Sequence, residues 1–244
     1  NIILNRNTKF FKRKKTIILL VRKSPGEIDF ILPILYQLRE NFNVFTIFIK
    51  KQNYIKLKNN KKLFNLWKKT SFGLTYHPDK RYMLLRLTYK VHEKIKKKFI
   101  EKYYNFEDLT SDISKKLNIH TNNIIDIKSI FCSFGNSSYW TDLGKQKQDC
   151  KILYFPDRTN LDYNKPFKKF TNSAQPKIKF NKNELLLVPN IETYKKYKKK
   201  FNFNNFYFTG YPKLNKYWIN KIFLKQSKKI SKNKITIFFK DYNR

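Results

Sequence analysis

The hydrophobic positions of this chain come in short runs that alternate between two periods. Thr16–Val21 is an unbroken Ile/Leu/Val run, the pattern of a strand buried on both faces. Lys23-Ser24-Pro25-Gly26 supplies turn chemistry. From Glu27 to Glu40 the apolar residues Ile28, Ile31, Leu32, Leu35 and Leu38 recur at helical spacing. Pro33 lies inside that stretch and predicts a kink near the helix start, because proline lacks the N–H the helix needs. Asn43–Ile49 is a second apolar run. The first 50 residues therefore predict a strand, a glycine-containing loop, a helix and a strand, which is a βαβ unit.

The alternation continues. Tyr54–Lys69 and Arg81–Lys102 predict helices, the second with Leu84, Leu85, Leu87, Val91, Ile95 and Phe99 facing away from a lysine-rich side. Phe106–Leu117 predicts a shorter helix, with acidic residues near its positive end. Ser129–Phe134, Lys151–Phe155, Glu184–Val188 and Phe206–Phe208 predict strands. Asn190–Phe201 and Pro212–Lys225 predict helices, the latter opened by a proline in its first turn. The fold class expected is α/β, a Rossmann-like open and mostly parallel sheet with flanking helices. The expected organisation is a basic arm at 1–15, an α/β domain at 16–225, and a linker plus one further strand at 226–244. Lys234–Phe239 would be that strand. Both ends read as cut from a longer protein, and the final strand as the start of a second α/β domain.

Composition narrows the class. At 244 residues, 41% hydrophobic and 17% aromatic, the chain carries enough apolar material for a core and does not resemble a disordered segment. No apolar stretch approaches the roughly 20 residues of a membrane span. Two cysteines make neither a disulfide framework nor a metal cluster, and a reducing, cytoplasmic setting fits them. The formal net charge of +37 invites a nucleic-acid reading, since clustered cations bind phosphate chains by releasing counterions. Yet only eight of the 54 basic residues are arginine, and arginine is the better reader of phosphate and guanine. Lysine rises together with Asn, Ile, Phe and Tyr, the residues of AT-rich codons. A basic RNA-binding protein from an AT-rich genome stays as the alternative. Under either reading the field attracts anionic substrates, nucleotides and anionic lipid surfaces.

The candidate chemistry sits in loops after strands. Ser24-Pro25-Gly26-Glu27 lies at the carboxyl end of the first strand, where open parallel sheets bind ligands. Gly26 permits close backbone approach, and Glu27 is a candidate general base near a sugar hydroxyl. The plainer reading is a turn followed by a carboxylate that suits the helix dipole. Further glycines of a dinucleotide fingerprint are missing. Gly135 and Asn136 follow another strand and could form an anion-binding nest, or an ordinary strand-end loop. Asp157 and Arg158 follow a third and could line an acceptor cleft, or make a structural turn. His77, His92 and His120 are scattered without metal-ligand spacing. Cys132 reads as a buried small hydrophobe.

Ser24-Pro25-Gly26-Glu27 followed by Leu32-Pro33-Ile34-Leu35 resembles the first βα loop of glycosyltransferases built from two facing Rossmann-like domains, the GT-B fold. In 3-deoxy-manno-octulosonate transferases and lipid A disaccharide synthases a Gly-Glu pair opens the first helix. Phe206–Phe208 followed by Thr209-Gly210-Tyr211-Pro212-Lys213 looks like the strand and glycine turn that precede the interdomain linker there and in CDP-glycerol glycerophosphotransferases. Leu186-Leu187-Val188-Pro189-Asn190 looks like the strand and helix start before it. The resemblance rests on order and spacing across about residues 16–240. It implies an acceptor-side domain with Glu27 as base and the turns at Gly26 and Gly210 near substrate; Ser24, Gly135, Asn136, Asp157 and Arg158 are the further substrate-binding candidates, from their places after strands. It further implies a nucleotide sugar or CDP-glycerol donor, a glycan or lipid-linked acceptor, peripheral contact with anionic membrane on its cytoplasmic side, and no metal or resident cofactor.

Overall fold

A computed structural model describes residues 2–22, 24–77, 105–119, 125–133, 139–155, 181–200 and 205–223. Its strands are β1 (Ile2–Leu4), β2 (Thr16–Val21), β3 (Asn43–Phe48), β4 (Ser71–Tyr76), β5 (Ile127–Ser133), β6 (Lys151–Phe155), β7 (Glu184–Val188) and β8 (Phe206–Phe208). Its helices are α1 (Gly26–Leu38), α2 (Lys51–Asn59), α3 (Lys61–Lys68), α4 (Phe106–Lys116), α5 (Tyr139–Gln146), α6 (Ile191–Lys200) and α7 (Lys216–Phe223), with a 3-10 turn at Pro212–Leu214. The predicted helix at Arg81–Lys102 and strand at Lys234–Phe239 lie outside the described residues.

The strands form one sheet in the order β1-β4-β3-β2-β5-β6-β7-β8. Every neighbouring pair is parallel except β1 with β4. The chain is thus an open α/β protein of Rossmann-like architecture. All six residues of β2 are buried, as are all six of β3, which is why both read as continuous apolar runs. One face of the sheet is covered by α1, α2, α3 and α7, and the other by α4 and α5. Ile28, Ile31, Leu32 and Leu35 of α1 are fully buried. Each such side chain contributes about 1.5–3 kcal/mol of transfer free energy.

Several expectations change. The basic arm expected at 1–15 is docked on the sheet: β1 pairs with the β4 edge, and the following segment is strapped to the amino-terminal rim of the sheet. Asn5 donates through Nδ2 to the carbonyls of Lys68 and Ser71. Asn43 accepts from the Phe11 amide at 2.9 Å and donates to the Phe11 and Lys14 carbonyls at 2.8 and 2.9 Å. Polar side chains, which a hydrophobic pattern cannot reveal, hold the strap. The single helix expected at Tyr54–Lys69 is two helices, because Asn60 leaves the helical path and caps α3, accepting from the Leu63 amide at 3.1 Å. The helix expected from Pro212 begins as the 3-10 turn and becomes α-helical only at Lys216.

Candidate functional site

Strand order decides where a ligand fits. From β2 the chain builds outward through β3 and β4; it then returns to the other side of β2 and builds through β5, β6, β7 and β8. The direction reverses between β2 and β5. The carboxyl ends of those two strands are therefore the topological switch point, the place where open α/β sheets take ligands. Ser24, Gly26 and Glu27 leave β2 at that point. Gly135 and Asn136 follow β5, and Asp157 and Arg158 follow β6, but these four lie outside the described residues.

Glu27 occupies the centre. It is 1% exposed. Its Oε2 accepts from the Arg22 amide at 2.6 Å, just past the end of β2, and its Oε1 accepts from Ser133 Oγ at 2.5 Å, the last residue of β5. One carboxylate therefore ties together the two strands that flank the switch. Hydrogen bonds to a buried carboxylate are charge-assisted and among the stronger kinds. Ser133 was not singled out from the sequence, since a serine ending an apolar run carries no local signal of a partner 106 residues away.

The loop between β2 and α1 is closed on itself. Ser24 and Gly26 are exposed. The Glu27 amide donates to the Ser24 carbonyl at 3.2 Å, and the Ile28 and Asp29 amides donate to the Pro25 carbonyl at 3.0 and 3.1 Å. Asn53 Nδ2 from α2 donates to the Arg22 carbonyl at 3.2 Å, fixing the loop from the β3 side.

Gly210 follows β8 at the far end of the same edge, with φ +64°, a left-handed conformation that glycine adopts without penalty. The chain then turns back toward the switch. The 3-10 turn packs against α1, Trp218 meets Tyr36 edge-on at 5.7 Å, and Lys213 Nζ lies 4.0 Å from Asp29 Oδ2 in the first turn of α1. Asn190, just past β7, donates to the Tyr211 hydroxyl at 3.0 Å. Lys213 thus reaches the first turn of α1, and Asn190 and Tyr211 share the carboxyl edge with it; the sequence had singled out only Gly210 in this turn.

Other reactive groups read as structural. Burial pushes the Cys132 thiol up to about 12 and the Cys150 thiol up to about 11, so both stay protonated at neutral pH and are poor nucleophiles. Glu184, at the amino end of β7 and 2% exposed, accepts from the Tyr154 hydroxyl at 2.7 Å and the Asn181 amide at 2.7 Å, and pairs with Lys145 at 3.2 Å. That network is on the edge away from the switch. Burial, reinforced by the nearby Cys132 and Glu184, raises the Tyr154 pKa. Among the described residues no group of three or more His, Cys, Asp or Glu could hold a metal ion, and no helix is long and apolar enough to cross a membrane.

The fold defines the class: an open, mostly parallel α/β protein whose strand order reverses between β2 and β5. No protein-family model matches the chain, and comparison with curated proteins and with solved structures finds no match.

Proposed function

We propose that the chain is the acceptor-side domain of a GT-B-type group transferase. It moves a sugar or glycerol phosphate from a nucleotide-activated donor to a glycan or lipid-linked acceptor in surface polysaccharide synthesis. The observation that carries this reading is the buried Glu27 carboxylate at the β2–β5 switch point. The acceptor hydroxyl takes the place of the Ser133 hydroxyl on Oε1, which a rotation about the Ser133 side chain releases. Glu27 accepts the hydroxyl proton as the acceptor oxygen attacks the donor centre, and the nucleotide leaves with the bonding electrons. The cationic surface supports a setting at the inner face of an anionic membrane.

Incubating the full-length protein with nucleotide sugars and CDP-glycerol, and measuring nucleotide release with an added acceptor, tests this. Glu27→Gln is expected to lower turnover by about 10²–10⁴-fold with the fold retained. Turnover within a few-fold of the parent, accompanied only by lower stability, would make Glu27 a structural tie. No turnover at all, together with RNA binding that falls steeply with salt, would instead support the nucleic-acid reading.

A further inference from the structure

Arg22 is the first residue beyond β2. Its main chain is fully used: the amide donates to Glu27 Oε2 and the carbonyl accepts from Asn53. Its guanidinium is not. Nη1 is buried and has no hydrogen-bond partner, and the side chain forms no ion pair with a described carboxylate. Buried polar nitrogens are nearly always satisfied, so an orphaned one calls for an explanation. Arg22 follows Val21 directly, so its backbone stands at the carboxyl end of β2, where Glu27 joins it to Ser133 at the end of β5. Three amides of the helix start beside it, those of Glu27, Ile28 and Asp29, are already taken by the Ser24 and Pro25 carbonyls. Arg22 Nη1 is thus a buried, unpaired donor next to the end of β2, and a planar guanidinium fork matches an oxyanion with two parallel bonds.

We propose that the Arg22 guanidinium recognises a phosphoryl group on the ligand entering the β2–β5 switch point. A phosphoryl group carries more charge than a carboxylate and is drawn more strongly by the field of a chain with net charge +37. The inference rests on the switch point being the ligand site and not on the reaction performed there.

The probe is pyrophosphate, titrated into full-length protein labelled with [15N]arginine. Surface lysines bind anions in any variant, so the readout is the Arg22 side-chain resonance itself. A saturating shift of that resonance is expected. In Arg22→Gln, whose main-chain bonds remain, the tightest pyrophosphate site seen by calorimetry weakens by roughly ten-fold or more. Crystals soaked in tungstate should show an anomalous peak against the Arg22 guanidinium. An Arg22 resonance that stays still while other arginines shift overturns the proposal, as does tungstate bound only elsewhere. Succinate shifting the resonance at the same concentrations as pyrophosphate overturns the preference for phosphate. Pyrophosphate bound at Arg22 in a protein that turns over no donor would leave this site standing and remove the transferase reading. Donor turnover unchanged in Arg22→Gln would do the reverse.

Discussion

Glu27 is the first carboxylate in the chain, after eight cations, and it is almost completely buried. The sequence marked its position, because a Gly-Glu pair opening a helix after an apolar run is a local pattern. It did not mark the burial, which depends on Ser133 and on the β2–β5 pairing. Arg22 was missed for a similar reason: an arginine ending a strand is ordinary until its Nη1 is seen to be buried without a partner. His77 shows the same limit. In sequence it precedes a proline in a loop. In the structure its ring stacks on Tyr139 at 5.6 Å and meets Trp140 edge-on at 5.1 Å. Burial lowers its pKa, with a backbone hydrogen bond opposing. The folded state thus resists a proton that the unfolded state takes up near pH 6.5. The stability from keeping His77 neutral is complete above that pH and is lost as pH falls through the lowered folded value. Urea denaturation at pH 7.5 and 5.5 should show a steeper loss for the parent than for His77→Phe. Equal losses would mean that His77 does not contribute to the acid response.

The elements legible in the sequence are those whose pattern is driven by burial alone. β2, β6, β7 and β8 fall where their apolar runs place them. β4 was not foreseen, because Ser71-Phe72-Gly73-Leu74-Thr75-Tyr76 mixes polar residues and a glycine into a strand whose first five residues are all buried. Its polar atoms are satisfied only in three dimensions. Trp67 Nε1 of α3 donates to Thr46 Oγ1 at 3.0 Å, and the Thr46 and Ser71 hydroxyls share a hydrogen bond at 2.9 Å. α5 was not foreseen either. Gly144 weakens its helical pattern, yet a Cβ there would come within 2.8 Å of Ile130 Cδ1, so the glycine lets the helix sit close on the sheet. The Thr46 cluster predicts that Thr46→Val, nearly the same shape, leaves the buried Trp67 N–H unpaired and lowers stability by about 1–3 kcal/mol. Urea denaturation measures this. A loss under about 0.5 kcal/mol, the usual range for surface changes, would show that the cluster is not held together as described.

At the scale of the molecule, the two edges of the sheet have separate tasks. The amino-terminal edge carries the Asn43-pinned strap and the Glu184–Tyr154–Lys145 network. The carboxyl edge carries the switch point, Glu27, Arg22 and the returning 3-10 turn. The sheet is built as two halves that meet between β2 and β5, and alternation in the sequence announced strands and helices without giving their order. That order follows from which strands bury which faces, a nonlocal property. The surface lysines contribute field more than stability. Pairs such as Lys128 with Asp149 at 2.6 Å and Asp126 at 3.2 Å are half-exposed, and such pairs add little.

The central claim is that Glu27 joins the two halves of the sheet through Ser133. A double-mutant cycle on stability tests it most directly, with Glu27→Gln, Ser133→Ala and the pair measured by urea denaturation. The hydrogen bond to a buried charge predicts a coupling of about 1–3 kcal/mol between the two sites. Losses that add within about 0.5 kcal/mol would mean the two residues do not interact, and the switch point would lose the tie on which the site depends.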